Sequence, residues 1–340
     1  MKEGATVKAV QATGFGGPGT LAVVDLPDPR PAAGQVAIDV THAAVGLIDV
    51  FIRQGLFKDQ PGMPQPPFIP GLEIVGTVRA LGQGVSGFSV GEKVLSLSGT
   101  GTGGYASVVV SDQALVVSLA GRDIDPALAV AVLPNAAMAH LALSRIASMT
   151  RGESVLVHGA LGGFAAAVPG VARQLGASRV VGSVRSSKLD VASRTQLPYD
   201  RIVDSARLPE ALDGELFDVI VDPVGGELRS ISLDLLKPAG RLVVVGNASG
   251  DWGHRIDSNR LWLGSLTVSG FSAGAYFPTH PQDIRPAVEA ALNAVEAGLG
   301  KTEVDVLPVG AAAEAHERME SRSLNGRIVL SFDPPDIIGD

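Results

Sequence analysis

The stretch that decides the fold is ESVLVHGALGGFAAAVPGVARQLGASRVVGSVRSSK, residues 153–188. It opens with a short β-branched apolar run at 155–157, which is typical of a buried parallel strand. Glycines at 159, 162 and 163 lead into an alanine-rich segment, which predicts a helix that ends at Gly176. A second apolar run follows at 180–184. The sequence therefore predicts a βαβ unit whose glycine turn and helix N-terminus suit a pyrophosphate.

The glycine spacing alone is a weak signal. It departs from G-x-G-x-x-G, and glycine-rich turns between strands and helices also occur without a ligand. The order strand, turn, helix, strand is what favours a dinucleotide half-site. We therefore expect a bound cofactor to contact five consecutive residues of the turn: Ala160, Leu161, Gly162, Gly163 and Phe164.

The end of the second strand indicates which dinucleotide is bound. An NAD site places an acid there for the ribose 2′-hydroxyl. This chain reads SVRSSK from Ser183 to Lys188, with no acid before Asp190. Its two cations and three hydroxyls suit a 2′-phosphate, so Ser183, Arg185 and Lys188 are predicted to favour NADPH over NADH by about two to four powers of ten. The alternative is a solvated basic loop.

Length and composition bound the remaining possibilities. A chain of 340 residues, 46% hydrophobic and 18% charged, predicts two compact α/β domains. The formal net charge of −8 argues against nucleic acid and an anionic membrane surface as partners. No run was expected to reach the ~20 apolar residues of a membrane span, and the N-terminus lacks the apolar core of a signal peptide. The absence of cysteine is compatible with a cytoplasmic location.

Motifs along the whole chain resemble one known family. GLEIVGTV at 71–78, GFSVGEKV at 87–94, Gly104-Tyr105-Ala106 and the βαβ unit are similar to medium-chain dehydrogenases/reductases. The zinc-free quinone oxidoreductase branch, which includes the zeta-crystallin-like proteins, is the best match. This resemblance implies an α/β protein with a GroES-like, partly open β-barrel domain at 1–125 and 273–340. A doubly wound parallel Rossmann sheet at 126–272 would be inserted between the two parts.

The sequence supports the inserted sheet independently, because apolar runs at 217–222, 241–246 and 266–271 alternate with helical segments. In the family, the strand that matches 266–271 lies at the sheet edge and pairs with a second subunit. The resemblance therefore implies a homodimer that forms through this edge strand.

A metal site is not expected. Zinc-dependent relatives use cysteine, histidine and carboxylate ligands, whereas this chain has no cysteine and reads Gly71-Leu72-Glu73 at the matching position. Glu73 is therefore interpreted as structural, and the six histidines show no metal-like spacing. His158 is predicted to be a hydrogen-bonded core residue. No G-x-S-x-G elbow supports acyl transfer.

Hydride transfer needs few side chains, because the cofactor supplies the chemistry. In relatives, an Asn and two Tyr line the substrate site and a Thr lies near the nicotinamide; here Gly46, Phe51, Phe57 and Ala139 stand at those positions. Asn135, Asn247, Tyr105 and Tyr276 remain as scattered donors, so the sequence assigns no catalytic residue. Asp49 and Arg53 match family positions and could form a buried ion pair. The predicted substrate-binding residues are Gly46, Phe51, Phe57, Asn135 and Tyr276.

Further cofactor contacts follow from the resemblance. Tyr199 and Arg322 match residues that touch the adenosine 2′-phosphate. Gly246-Asn247 and Phe271-Ser272 would lie beside the nicotinamide, at the carboxyl ends of strands. Ala165 stands where relatives usually have glycine, which adds a methyl group at a close packing point.

Three functions remain in competition. The first is an NADPH-dependent reductase of a quinone or enone, with an apolar small-molecule substrate. The second is non-redox chemistry on the same scaffold, such as cyclisation or conjugate addition, which the lost polar residues suggest. The third is NADPH binding without turnover.

Overall fold

The computed structural model describes residues 6–97, 103–299, 302–322 and 324–332. The chain divides into two compact units: unit 1 contains 1–134, 277–285 and 303–340, and unit 2 contains 135–276 and 286–302. The changes from one unit to the other fall near the predicted limits at 125/126 and 272/273. Segment 286–302 belongs to unit 2, although the predicted limits gave it to the barrel domain.

The strands of the described residues are β1 Thr6–Ala12, β2 Leu21–Pro27, β3 Gln35–Ala44, β4 Glu73–Leu81, β5 Lys93–Leu97, β6 Val108–Asp112, β7 Val116–Ser118, β8 Ser154–His158, β9 Arg179–Val184, β10 Arg201–Asp204, β11 Phe217–Asp222, β12 Leu236–Val244, β13 Thr267–Gly270, β14 Val304–Pro308 and β15 Arg327–Ser331. The helices are α1 Leu47–Arg53, α2 Pro126–Leu141, α3 Gly163–Gln174, α4 Leu189–Ala192, α5 Leu208–Leu212, α6 Glu227–Asp234, α7 Ser258–Gly264, α8 Ala273–Tyr276, α9 Ile284–Glu296 and α10 Ala312–Glu320.

Unit 1 contains the β1–β2 hairpin and a seven-stranded sheet in the order β14-β15-β3-β4-β5-β7, with β6 paired to β3. The C-terminal part of the chain completes this sheet, because β15 runs antiparallel to β3 and pairs Val329 with Ala44. The strands enclose an apolar core that includes Ile38, Val94 and Leu330. Strands from both ends of the chain are therefore needed to close this core.

Unit 2 is built on a six-stranded sheet in the order β10-β9-β8-β11-β12-β13. All of its strand pairs are parallel, which confirms the predicted doubly wound sheet. Strand β8 is buried along its whole length, as its continuous apolar run indicates. The chain first winds towards β10 and then continues from β11 in the other direction. The carboxyl ends of β8 and β11 therefore flank the switch point where such sheets bind ligands.

One long apolar helix corrects an expectation. Helix α2 continues through a π-helical turn, so that Pro126–Ile146 forms 21 residues with a hydropathy of 1.6. By length and composition alone this helix could cross a membrane, whereas no run of that kind was expected. However, 78% of its apolar window is buried inside the protein, as in the core helix of a globular domain.

Candidate functional site

The glycine turn after β8 is tight and closely packed. Gly159 leaves the strand with φ +63, a conformation that glycine adopts without strain. Its carbonyl accepts the Gly162 N–H at 2.8 Å, while the Ala160 N–H donates to the Ser183 carbonyl of β9 at 3.0 Å. Gly182 permits this approach, because a Cβ there would meet the Ala160 Cβ at 2.6 Å. The turn is therefore fixed against the second strand.

The start of α3 offers backbone donors to a ligand. The first helical bond joins the Ala166 N–H to the Gly162 carbonyl at 2.8 Å, so the N–H groups of 163–165 precede the first intrahelical acceptor. Within this described helix, no side chain caps the N-terminus and no acid lies in the first turn. Such an end carries partial positive charge. It fits the pyrophosphate of a dinucleotide.

The Tyr199 side chain contacts the backbone of the glycine turn and of the first turn of α3. Its hydroxyl donates to the Ala165 carbonyl at 2.8 Å and lies 3.3 Å from the Ala160 carbonyl. A tyrosine has one proton to donate, and this arrangement uses it within the turn. The structure thus gives Tyr199 a positioning role, whereas its expected contact with a 2′-phosphate remains a prediction. The methyl group of Ala165, which stands where relatives usually have glycine, is buried.

Ser183 does not fit the role predicted for its side chain. It is fully buried, and its Oγ lies 2.8 Å from His158 Nδ1. On the other side, His158 Nε2 lies 2.8 Å from Ser232 Oγ, which donates to the Leu228 carbonyl. Ser232 therefore accepts from Nε2–H, and Ser183 donates to Nδ1. The prediction that His158 is a core residue is confirmed, and burial lowers its pKa.

The loop after β9 carries the predicted cations. Arg185 is exposed and Lys188 is partly buried. Burial and the nearby Arg185 guanidinium lower the pKa of Lys188. An anion bound near both side chains would reduce the repulsion between their positive charges. Ser186, counted among the three hydroxyls, instead donates to Asp204 Oδ2 at 2.6 Å.

Sequence reasoning missed Asp204, because it searched for an acid only along the second strand. Asp204 ends the third strand, β10, and lies opposite Val184 in the parallel register. Placing β10 next to β9 would have revealed it, since the carboxyl ends of parallel strands meet at one edge of the sheet.

A buried ion pair joins the loops after β11 and β12. Asp222 is fully buried, accepts the N–H groups of Val224 and Gly225 at 2.8 and 2.7 Å, and pairs with Arg229 Nε at 2.9 Å. The same guanidinium donates to the Gly246 carbonyl at 3.0 Å. These contacts fix the backbone at the predicted nicotinamide end of the sheet.

Asn247, next in the chain, is buried and accepts a bond from Ser249 Oγ at 3.0 Å. Its Oδ1 leaves no room for a side chain at Gly225, because a Cβ there would lie 2.1 Å away. After β13, the rings of Phe271 and Tyr276 lie 5.5 Å apart, and the Ser272 carbonyl accepts the Tyr276 N–H at 2.9 Å. Six of the residues predicted near the nicotinamide or substrate thus lie in unit 2: Asn135, Gly246, Asn247, Phe271, Ser272 and Tyr276.

Three of the predicted substrate residues lie on or next to helix α1 of unit 1. Gly46 caps this helix and donates its N–H to Asp49 Oδ2 at 2.8 Å. The rings of Phe51 and Phe57 meet edge to face with centroids 6.4 Å apart. The structure therefore brings Gly46, Phe51 and Phe57 to one helix and the turn that follows it. Asn135 lies on α2 in unit 2, and Arg322 follows α10 in unit 1.

A chain of buried polar groups lies beneath α1. Arg53 Nε, which can only donate, bonds His316 Nδ1 at 3.2 Å. The His316 proton is therefore on Nε2, which lies 3.2 Å from the Tyr105 hydroxyl. Tyr105 in turn bonds the Asp49 carboxylate. Because Arg53 can only donate, it determines which group donates in each hydrogen bond of this chain.

The expected Asp49–Arg53 ion pair is wrong. Arg53 pairs with Glu320 and donates to the Gly16 carbonyl at 2.6 Å. Asp49 accepts the N–H groups of Gly46 and Gly71, the latter at 3.2 Å. Burial raises its pKa to about 7. Asp49 and Arg53 are therefore both held by hydrogen bonds, but each has different partners.

Glu73 forms a buried ion pair with Arg327 of β15, which agrees with the structural role predicted for it. Burial raises the pKa of Glu73, against the effect of Arg327. Within residues 6–97, 103–299, 302–322 and 324–332, no group of three or more His, Asp and Glu side chains could hold a metal ion.

Comparisons with known proteins agree with this architecture. Residues 32–121 match the alcohol dehydrogenase GroES-like domain family, and residues 175–330 match the zinc-binding dehydrogenase family. The GroES-like prediction is thereby confirmed. A quinone oxidoreductase of Lama guanicoe is 30% identical over 71% of this chain and 73% of its own length. A synaptic vesicle membrane protein VAT-1 homolog of Danio rerio is 28% identical, over 97% of this chain and 71% of that protein.

Among solved structures, a mycobacterial protein complexed with NADPH superposes with a TM-score of 0.82 at 28% identity. The match covers 96% of this chain and 99% of that one.

The buried chain under α1 predicts opposing pH effects on stability. Asp49 has a native pKa of about 7 against 3.8, so the native state keeps a proton that the unfolded state releases, and stability falls as pH rises towards 7. His316 has a native pKa of about 3 against 6.5, so the unfolded state binds the extra proton and stability rises over that range. Asp49→Asn removes the first effect. Between about pH 5 and 6.5, its free energy of unfolding should rise by up to ~1.4 kcal/mol per pH unit more steeply than in the wild type.

Urea denaturation across this pH range measures the slope. Asp59→Asn, at an exposed aspartate of the same unit, is the control and should follow the wild type. A wild-type slope in Asp49→Asn would contradict the raised pKa.

Proposed function

The chain belongs to the quinone oxidoreductase family of the medium-chain dehydrogenases/reductases, and we propose that it reduces a conjugated carbonyl, a quinone or an enone, with NADPH. The observation that carries this proposal is the rigid glycine turn, which leads into an uncapped helix end and lies one strand from the Arg185–Lys188 loop. A relative whose structure is complexed with NADPH supports a nicotinamide cofactor.

Within this proposal, the residues divide by the part of the cofactor they would hold. The N–H groups at the start of α3 would bind the pyrophosphate, and Arg185 and Lys188 the 2′-phosphate. The loops fixed by Asp222 and Arg229 would border the nicotinamide. When bound, the cofactor would supply a hydride to the substrate's β-carbon, and a proton from a residue or from solvent would complete the reduction. The protein's part would be to hold both reactants in position.

The proposed substrate is an apolar small molecule. Phe51 and Phe57 of unit 1 pack edge to face and stand where the family resemblance implies polar side chains. Aromatic side chains at a substrate site would favour a lipophilic quinone or enone over a sugar or an acid. The net charge of −8 supports the proposal that nucleic acid is not a partner. The proposed cytoplasmic location rests on its compatibility with the absence of cysteine.

We also propose a homodimer that forms through the edge of the unit 2 sheet. Strand β13 is terminal in the sheet, so one of its edges has no strand partner within the described chain. The preceding helix α7 exposes Trp262 (78%) and Leu263 (74%). Large exposed apolar side chains and a sheet edge that can pair with another strand are both features of subunit contacts.

Turnover tests the reductase proposal directly. Purified protein is mixed with NADPH and a panel of quinones and enones, while the near-ultraviolet absorbance of NADPH and the product are both followed. We expect one NADPH oxidised for each product formed. Product without NADPH oxidation would support the non-redox alternative, and tight NADPH binding without turnover on any substrate would support a binding protein.

Reversing the two cations tests the cofactor preference. Arg185→Glu with Lys188→Glu should weaken NADPH binding by about two to four powers of ten, because two charge-assisted bonds to the 2′-phosphate are lost. NADH binding should change by less than about threefold. Fluorescence titration measures both. Arg151→Glu, at an exposed arginine before the amino end of β8, is the control. Equal losses for both nucleotides would remove the 2′-phosphate assignment.

The dimer is tested with Trp262→Glu and Leu263→Lys together. Burying these charges in a contact between copies is costly, so the pair should convert a dimer to a monomer. Light scattering after size exclusion gives the mass. Val90→Glu, at an apolar side chain of unit 1 that is 68% exposed, should leave the dimer intact. A monomeric wild type would refute the proposal.

A further inference from the structure

An acid lies beside the proposed 2′-phosphate site, although it comes from a different strand. Strand β10 runs parallel to β9 with Asp204 opposite Val184, so both strands end at the same level. Asp204 Oδ2 accepts the Ser186 hydroxyl at 2.6 Å, and its Oδ1 accepts the Ala206 N–H at 2.9 Å. Both carboxylate oxygens are thereby held in place.

This carboxylate carries a negative charge at neutral pH. The bonds from Ser186 and Ala206 hold the pKa of Asp204 below its usual range. The negative charge of Asp204 at the end of β10 is therefore bonded to the same loop that carries the positive charges of Arg185 and Lys188. Ser186 has a single hydroxyl proton, which it donates in the hydrogen bond to Asp204.

We propose that Asp204 determines nucleotide specificity by narrowing the preference for NADPH over NADH. This inference rests on the proposed function, because it concerns the same cofactor site. A 2′-phosphate near Ser186 would meet a like charge and would lack the serine's proton. A ribose 2′-hydroxyl is neutral and can donate to a carboxylate, so it does not suffer this repulsion. The cations favour the phosphate, and Asp204 opposes part of their effect.

The experiment uses Asp204→Asn in the full chain. Asparagine keeps a carbonyl oxygen for the Ala206 N–H and replaces the charged Oδ2 with an amide that can donate to Ser186 Oγ. The substitution therefore removes the negative charge and leaves the Ser186 hydroxyl able to donate a hydrogen bond to a phosphate. Isothermal titration calorimetry measures the binding of adenosine 2′,5′-bisphosphate and of adenosine 5′-monophosphate. The first should bind about 5- to 20-fold more tightly to the variant, and the second should change by less than about twofold.

Two controls isolate the cause. Asp213→Asn removes the same charge after α5, before the amino end of β11, and should change neither affinity. Ser186→Ala should cost little in the wild type, where the hydroxyl bonds Asp204, but several-fold in the Asp204→Asn background, where it can bond the phosphate. Raising the salt concentration should reduce the effect of Asp204→Asn.

The outcomes separate this inference from the proposed function. If neither nucleotide binds the wild type, the cofactor site itself is refuted and this inference with it. If both bind but Asp204→Asn changes them equally or not at all, Asp204 has no part in specificity, while the reductase proposal stands. Unchanged binding of adenosine 5′-monophosphate shows that the variant is folded.

Discussion

The close approach of β9 to the glycine turn is the constraint on which the candidate site depends. Gly182 lets the Ala160 Cβ lie where any larger residue would collide, and the Ala160 N–H then bonds the Ser183 carbonyl. This contact fixes the direction in which α3 leaves the turn, and Tyr199 secures it by bonding the Ala165 carbonyl. The uncapped helix end and the loop after β9 consequently meet the same edge of the sheet. One nucleotide can place its pyrophosphate at the helix end and its 2′-phosphate at the loop only if both lie at the same edge of the sheet.

In unit 1, buried charged groups position α1 next to the apolar core. Arg53, Glu73, His316 and Arg327 are all buried, and each bonds a partner from a distant part of the sequence. Breaking one partnership would leave a buried group uncompensated, which costs far more than a surface pair is worth. The network therefore fixes α1, together with Gly46 and the aromatic pair Phe51–Phe57. It explains how a helix of seven residues is positioned without a large apolar face.

Much of the fold could be predicted from the sequence, because parallel strands and their crossover helix leave a strong local pattern. The βαβ unit, the parallel sheet that contains it and the core role of His158 all follow from residues close together in the chain. The errors concern long-range pairing. Asp49 and Arg53 look like partners because they are one helical turn apart, yet Arg53 pairs with Glu320. Ser183 and Ser186 look available for a phosphate, yet His158 and Asp204 hold their hydroxyls. No local pattern records which strands become neighbours.

The most direct measurement of the central claim is amide hydrogen–deuterium exchange by mass spectrometry, with and without NADPH. The account predicts slower exchange in peptides that cover the turn at 159–166 and the loop at 184–190, because both would contact the nucleotide. Peptides of the β1–β2 hairpin should not change. Slower exchange elsewhere, with both of these segments unaffected, would contradict the claim that the turn after β8 binds the cofactor.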